Sequence, residues 1–209
     1  MDKSKHLNLI SYFGGKYPHL NWLLPLLPAG NYHFVDAMCG AANVALNVNY
    51  PLVTINDLNS DLINLFQVLR SDPDELLRRI YFTPFSREVF ENSIEDVEDP
   101  VEKAWQFFVR AQLGYGGVSS QNKHKGFGCE KKISRSQYYR VDNWNKKLEK
   151  LDQIIEKLRG FQIENMDVFE IGYHHLYEKD PKRNLLQSTK YHPLYLRNKH
   201  ILKSLTGLS

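Results

Sequence analysis

The sequence is short of the features that mark secreted, membrane-bound or disulfide-built proteins. Its two cysteines, Cys39 and Cys129, lie too far apart to form a paired framework, which argues against a disulfide scaffold and for a reducing compartment. Nowhere is there a run of about 18 apolar residues, and the opening "MDKSKHLNLISYFGGK" has no apolar core of signal-peptide length. Internal repeats and low-complexity tracts are missing too. Neither sign of charge dominates, with 27 Lys and Arg against 24 Asp and Glu for a net +3; at 42% apolar residues the chain sits well outside the disordered class. No metal is expected: His174 and His175 are adjacent, so a helix would turn them to different faces, and no Cys or carboxylate stands at ligand spacing. The chain of 209 residues therefore reads as one globular domain, or one with an insertion. It is expected to be soluble, cytoplasmic and monomeric.

Three changes of pattern organise what is present. From about Leu9 to Arg79 short apolar runs alternate with helical periodicity. "HFVDAMCG" reads as a buried strand ending in a turn, "AANVALNV" as a helix start, "PLVTINDLN" as a second strand, and "SDLINLFQVLRSDPDELLRRI" as a helix or a pair broken near Pro73. This is an α/β signature. Beyond Tyr81 comes the aromatic-rich helix "PVEKAWQFFVRAQLGY" and then a polar, basic loop, "GGVSSQNKHKGFGCEKKISRSQ". The helix "DNWNKKLEKLDQIIEKLRG", capped by Asp142 and closed by Gly160, returns the chain to strand-like "FQIENMD". The predicted division is 1–80 as an α/β core, 81–160 as an insertion, and 161–209 as a return to the core with an atypical tail.

The chemistry-bearing positions cluster at strand ends. Asp36 enters a turn whose Gly40 opens the expected helix, a place where backbone N–H groups can hold an anionic ligand. Asp57 ends the second strand about 20 residues later, the spacing at which doubly wound folds hydrogen-bond the ribose of an adenosine cofactor. Only Gly40, flanked by Ala41 and Ala42, stands in that turn, which argues against the glycine-rich pyrophosphate loop of dinucleotide enzymes. An ordinary turn and a helix cap at Asp57 are the alternatives. "SYFGGK" adds two glycines for close backbone approach and Lys16 for a carboxylate; "IENMDVFE" adds Asn165 and Asp167, either near an adenine ring or in a simple turn with Asp167 capping a helix.

Taken in order, "YFGGK", "FVDAMCGAANV", "INDLNSDLINLFQVLRSDPDEL", "TPFSREVFENS", "DPVEKAWQFFVRAQLGYGG" and "IENMDVFE" resemble the Dam-like DNA adenine methyltransferases, especially phage-type members, over about residues 8–181. The resemblance implies a Rossmann-like sheet with helices on both faces, an inserted DNA-recognition subdomain, S-adenosylmethionine as cofactor and double-stranded DNA as partner. It implies that Tyr12, Gly14, Gly15 and Lys16 lie at the cofactor pocket and that Asp36, Cys39 and Gly40 hold its methionine part. Asp57 would bind the ribose hydroxyls and Asp167 would stand beside the adenine. Ala37, Ala41 and Ala42 depart from the family's usual proline and glycines.

Positions 121–160 hold eleven Lys and Arg against five Asp and Glu, and the resemblance implies that the basic segment from about Ser119 to Lys150 lies where the family keeps its DNA-recognition subdomain. Lys123, Lys125, Lys131, Lys132, Arg135 and Arg140, interleaved with Phe127, Tyr138 and Tyr139, suit phosphate contact and base stacking; a solvated basic loop is the alternative. A base inside a duplex must also be flipped out before it can be methylated.

The catalytic tetrad of the family, Asp-Pro-Pro-Tyr or a close variant, is missing. The resemblance implies that its acid and a proline carbonyl accept the amine's protons while the aromatic stacks on the base. Counting onward from "YEKDP", the slot is filled by Ser188, Thr189, Lys190 and Tyr191, of which only the aromatic matches; a shifted match onto His192, Pro193, Leu194 and Tyr195 also lacks the acid. Positions 182–209 contain no Asp or Glu, six Lys or Arg and seven leucines without a clean period. The expectation is a disruption after about Pro181, an incomplete C-terminal part of the sheet, and weak or absent methyl transfer. A non-catalytic DNA- or cofactor-binding remnant and a small-molecule enzyme on the same scaffold stay open.

Overall fold

The computed structural model describes residues 6–30, 32–115, 126–128, 140–172 and 174. Among them are three strands, β1 (His33–Asp36), β2 (Leu52–Asn56) and β3 (Phe161–Glu164). They form one parallel sheet in the order β1-β2-β3. The register pairs Val35 with Thr54 and Thr54 with Gln162, so Phe34, Val53, Ile55, Phe161 and Ile163 share one face by strand alternation. Pro51, which cannot donate to a ladder, stands just before β2 rather than inside it.

Parallel strands need a crossover, and the long one between β2 and β3 carries most of the helices. In chain order the helices are α1 (Leu20–Leu23), α2 (Ser60–Ser71), α3 (Pro73–Phe82), α4 (Arg87–Asn92), α5 (Pro100–Leu113), α6 (Arg140–Leu148), α7 (Leu151–Arg159) and α8 (Val168–Gly172). The break at Pro73 is as the sequence predicts: proline lacks the N–H an interior position needs, and here it begins α3. Asn59 caps α2 by accepting from the N–H groups of Asp61 and Leu62, and Asp99 caps α5 by accepting from Glu102 N–H at 2.7 Å.

The core forms where the apolar stripes of α2 and α5 meet. Leu62, Leu65, Phe66 and Leu69 on α2 and Ala104, Phe107, Phe108 and Ala111 on α5 are fully buried. Each phenylalanine so buried is worth about 1.5–3 kcal/mol of apolar transfer. Helix α3 packs on both α5 and α2, and α7 packs on α2 through an amphipathic stripe of Leu151, Ile154, Ile155 and Leu158. Phe108 meets Trp144 of α6 edge to face, with ring centroids 5.6 Å apart.

Two local expectations are corrected. No α-helix opens at Gly40: the chain runs through turns into a single 3-10 turn over Ala45–Asn47, because Gly40 and Ala42 both take positive φ, 50° and 51°. Asn47 then fixes the segment by donating from Nδ2 to the carbonyls of Leu7 and Asn43. The predicted long helix starting at Asp142 is two helices that begin two positions earlier. Its halves bury against different partners, Trp144 of α6 on α5 and the stripe of α7 on α2.

Candidate functional site

Loops carrying the predicted cofactor residues leave the C-terminal ends of all three strands, and a fourth, the turn 12–16, joins them. In that turn Gly15 N–H donates to Tyr12 O at 3.0 Å. A Cβ on Gly15 would stand 3.0 Å from Tyr12 O and 3.1 Å from Asn43 Oδ1, so a side chain there would have to push those neighbours aside by a few tenths of an ångström, and Gly14 has φ +76° with open space beside it. The Tyr12 ring lies against Gly40, where a Cβ would meet it at 3.1 Å, and Asn59 Nδ2 donates to the Tyr12 hydroxyl at 3.3 Å. Tyr12, Gly15 and Gly40 are thus brought into contact although 28 positions separate the first from the last.

Asp36 ends β1 and is 5% exposed. Burial pushes its carboxyl up to about 6, opposed by the positive charge of Lys16 and by a hydrogen bond from the Ala45 N–H. Lys16 also donates to Gly14 O at 3.2 Å. Cys39 is buried, and burial together with the charges of Asp36 and Asp57 pushes its thiol well above the usual range. It is therefore a packing residue and not a nucleophile.

Asp57 follows β2. Its Oδ2 accepts from Gly40 N–H at 2.9 Å and its Oδ1 from Asn59 N–H at 3.0 Å. The first of these bonds occupies the Gly40 amide, and since no α-helix opens at Gly40 its N–H does not belong to a helix N-terminus. The cap on α2 is Asn59, so Asp57 does not serve as that cap. Asp167 Oδ1 accepts from Phe169 N–H at 2.8 Å and so closes the turn that begins α8. Asn165 spans the second and third loops: its Nδ2 donates to Asp57 O at 2.8 Å and its Oδ1 accepts from Ser60 Oγ at 2.9 Å.

Sequence reasoning missed two sets of residues. Asn56, 1% exposed, hydrogen-bonds to both neighbouring loops from the end of β2. Phe13, Met38 and Leu58 on these loops, and Phe169 in the first turn of α8, expose large apolar side chains, between 41% and 70%. Their signal in the sequence was adjacency alone, since each stands within two positions of a predicted site residue.

Lys123, Lys125, Lys131, Lys132, Arg135 and Tyr138 lie outside the described residues, as do Ser188, Thr189, Lys190 and Tyr191; Arg140 is placed as the first residue of α6. The base of the basic loop is described. Gly114 and Phe127 form an antiparallel bridge, with Tyr115 N–H donating to Gly126 O at 3.0 Å and Gly128 N–H to Leu113 O at 2.8 Å. Phe127 does not stand free for base stacking. It packs on Phe85 and Phe90, with the Arg87 guanidinium 5.1 Å from its ring centre. Among the described residues no group of three or more His, Cys, Asp or Glu could hold a metal ion, and no helix is long and apolar enough to cross a membrane.

A parallel sheet flanked by helices, with two carboxylates, a lysine and close-packed glycine turns at its C-terminal edge, defines the class of Rossmann-like α/β proteins. Comparison with known proteins narrows this to one family. Residues 12–186 match the family model described as D12 class N6 adenine-specific DNA methyltransferase, and the chain belongs to that family. It is 31% identical over 125 residues to the DNA adenine methylase of Escherichia coli (strain K12), covering 56% of this chain and 45% of that protein. To the DNA adenine methylase of Serratia marcescens it is 30% identical over 129 residues, 56% of this chain and 46% of the relative. A shorter stretch of 64 residues is 39% identical to the modification methylase StsI of Streptococcus sanguinis, 31% of this chain and 10% of that one. The chain thus spans less than half the length of the DNA adenine methylases it matches.

Proposed function

We propose that this chain binds S-adenosylmethionine at the edge formed by Tyr12, Gly14, Gly15, Lys16, Asp36, Cys39, Gly40, Asp57 and Asp167, and that it serves adenine methylation of double-stranded DNA. The observation that carries the reading is the donor set. Two carboxylates and one lysine gather around close-packed glycines, while the Gly40 amide, which could otherwise face a phosphate, is already bonded to Asp57. That set fits a ligand with an amino-acid end and a ribose and no phosphate. Lys16 would meet the carboxylate of such a ligand, Asp36 its ammonium group and Asp57 a ribose hydroxyl through the lone pairs its two backbone bonds leave free. Leu58 and Phe169, 70% and 55% exposed, would cover the faces of the adenine ring, beside Asp167. When bound, the cofactor supplies the methyl group.

For DNA we assign Lys123, Lys125, Lys131, Lys132, Arg135, Tyr138 and Arg140 to phosphate and base contact, within an insertion spanning 81–160. The bridge at Gly114 and Phe127 supports this reading, because it pins the base of the basic loop to the core under α5. Methyl transfer by this chain is slow, since Ser188, Thr189 and Lys190 offer no carboxylate where the family places its proton acceptor. Calorimetry with S-adenosylmethionine and labelled-methyl incorporation into unmethylated DNA test the two halves separately. Binding without incorporation supports the proposal; no binding overturns the cofactor assignment, and rapid incorporation overturns the assignment of the degenerate loop.

A further inference from the structure

The geometry points to Asn56 as the positioning residue of the cofactor pocket: one side-chain amide holds the loops after β1 and β3 in register with the loop after its own strand. The inference rests on the S-adenosylmethionine reading above. Asn56 Nδ2 donates to Ala37 O at 2.9 Å and to Met166 O at 3.0 Å, its Oδ1 accepts from Met166 N–H at 2.9 Å, and its own carbonyl accepts from Cys39 N–H at 2.8 Å. Ala37 and Cys39 lie between Asp36 and Gly40, Met166 immediately precedes Asp167, and Asp57 follows Asn56. Every strand loop that carries a proposed cofactor contact is therefore tied to this one side chain.

The physical need is plain. Ladder hydrogen bonds hold parallel strands together only as far as the strands extend, and the loops beyond them have no ladder. A primary amide carries two N–H donors and a carbonyl acceptor on one rigid plane, and here the donors reach Ala37 on one side and Met166 on the other while the acceptor takes the Met166 N–H. With the side chain 1% exposed, water cannot replace a lost bond. Nothing in this role needs Asn56 to touch the cofactor.

Asn56→Asp gives the test its sign. The carboxylate has the same shape but turns acceptors toward the carbonyls of Ala37 and Met166, and protonation restores one of the two donations. The titratable groups on the surrounding elements are Asp36 and Cys39 on the first loop, Asp57 on the second, Glu164 and Asp167 on β3 and its loop, and Lys16 on the N-terminal turn. Affinity of the full chain for S-adenosylmethionine and for S-adenosylhomocysteine is measured by titration calorimetry at pH 8 and pH 6. The expected wild-type result is unchanged or weaker binding at pH 6. For N56D it is binding at least about tenfold weaker than wild type at pH 8, with a gain of at least about threefold on acidification, the opposite slope. N56S, which keeps one donor and one acceptor, should fall between the two at pH 8 without the reversed slope, and it carries the test if N56D does not fold. Variants that bind like wild type at both pH values overturn the inference alone. A wild-type chain that binds neither compound overturns the cofactor reading and this inference with it.

Discussion

On the proposed S-adenosylmethionine reading, Asp36 makes cofactor affinity depend on pH, and the size of the effect follows from its burial. The carboxyl titrates near 6 in the free protein because its 5% exposure denies it water, and Lys16 only partly offsets that cost. At pH 5 such a group is about nine-tenths protonated and at pH 7 about one-tenth. A bound ammonium group favours the ionised form, so binding must first remove that proton, and affinity falls about tenfold between pH 7 and pH 5. The sign of the stability effect is the reverse of the usual one for Asp. The folded pKa lies above the unfolded value of 3.8, so stability falls as pH rises from about 4 through 6. Asp36→Asn should accordingly flatten the binding profile, bind more weakly at pH 7, and stabilise the apo fold there by at most about 3 kcal/mol. Calorimetry across pH 5–7 and urea melts at pH 7 measure both. A wild-type profile that is flat, or an Asp36→Asn variant that keeps the tenfold slope, would refute the reasoning.

Other outcomes follow from the core and from two buried groups. Phe108→Ala removes the ring that joins α5 to Trp144 of α6 and should cost about 3–5 kcal/mol in a denaturant melt, a loss under about 1 kcal/mol being the contrary result. Cys39 should resist alkylation at pH 8 in the folded chain and react after unfolding, as peptide mass mapping would show; rapid native labelling would contradict its raised thiol pKa. Lys147 has a buried Nζ with no hydrogen-bond partner among the described residues, and burial lowers its pKa to about 7. Its folded value lies below 10.5, so it costs stability as pH falls from about 10 toward 7, and Lys147→Met should raise stability at pH 7 by about 1–3 kcal/mol, most visibly as a shallower pH slope between 7 and 10. Neutralising Lys131 and Lys132 should weaken DNA retention and reduce the salt slope of log affinity by about two, with little change in cofactor binding.

Much of this was legible before any coordinates. The alternation of β-branched runs with 3.6-residue periodicity marks β1, β2 and α2, and Pro73 marks the break before α3, because proline's missing N–H is a local property. Asp57 was legible from its distance to Gly40, although not that its carboxylate bonds that very glycine's amide. The absent helix after Gly40 was not legible, since a positive φ at Ala42 runs against the residue's own preference and is imposed by the surrounding packing. Nor was the break between α6 and α7: the apolar period runs on, and only the separate partners of the two halves divide it. Phe127 shows the same limit from the other side. In sequence it is an aromatic among lysines, and only the bridge to Gly114 turns it inward onto Phe85 and Phe90.

The sequence by itself determined the α/β class, the family and which acids and glycines are candidates for the proposed site, because each rests on residue type, order and spacing along the chain. The tertiary structure decided how those residues meet: which amide Asp57 occupies, why Asp36 titrates near 6, and that Asn56 reaches a loop 110 positions away. Those properties depend on burial and on hydrogen-bond direction, which come into being only when distant segments close around the same few atoms.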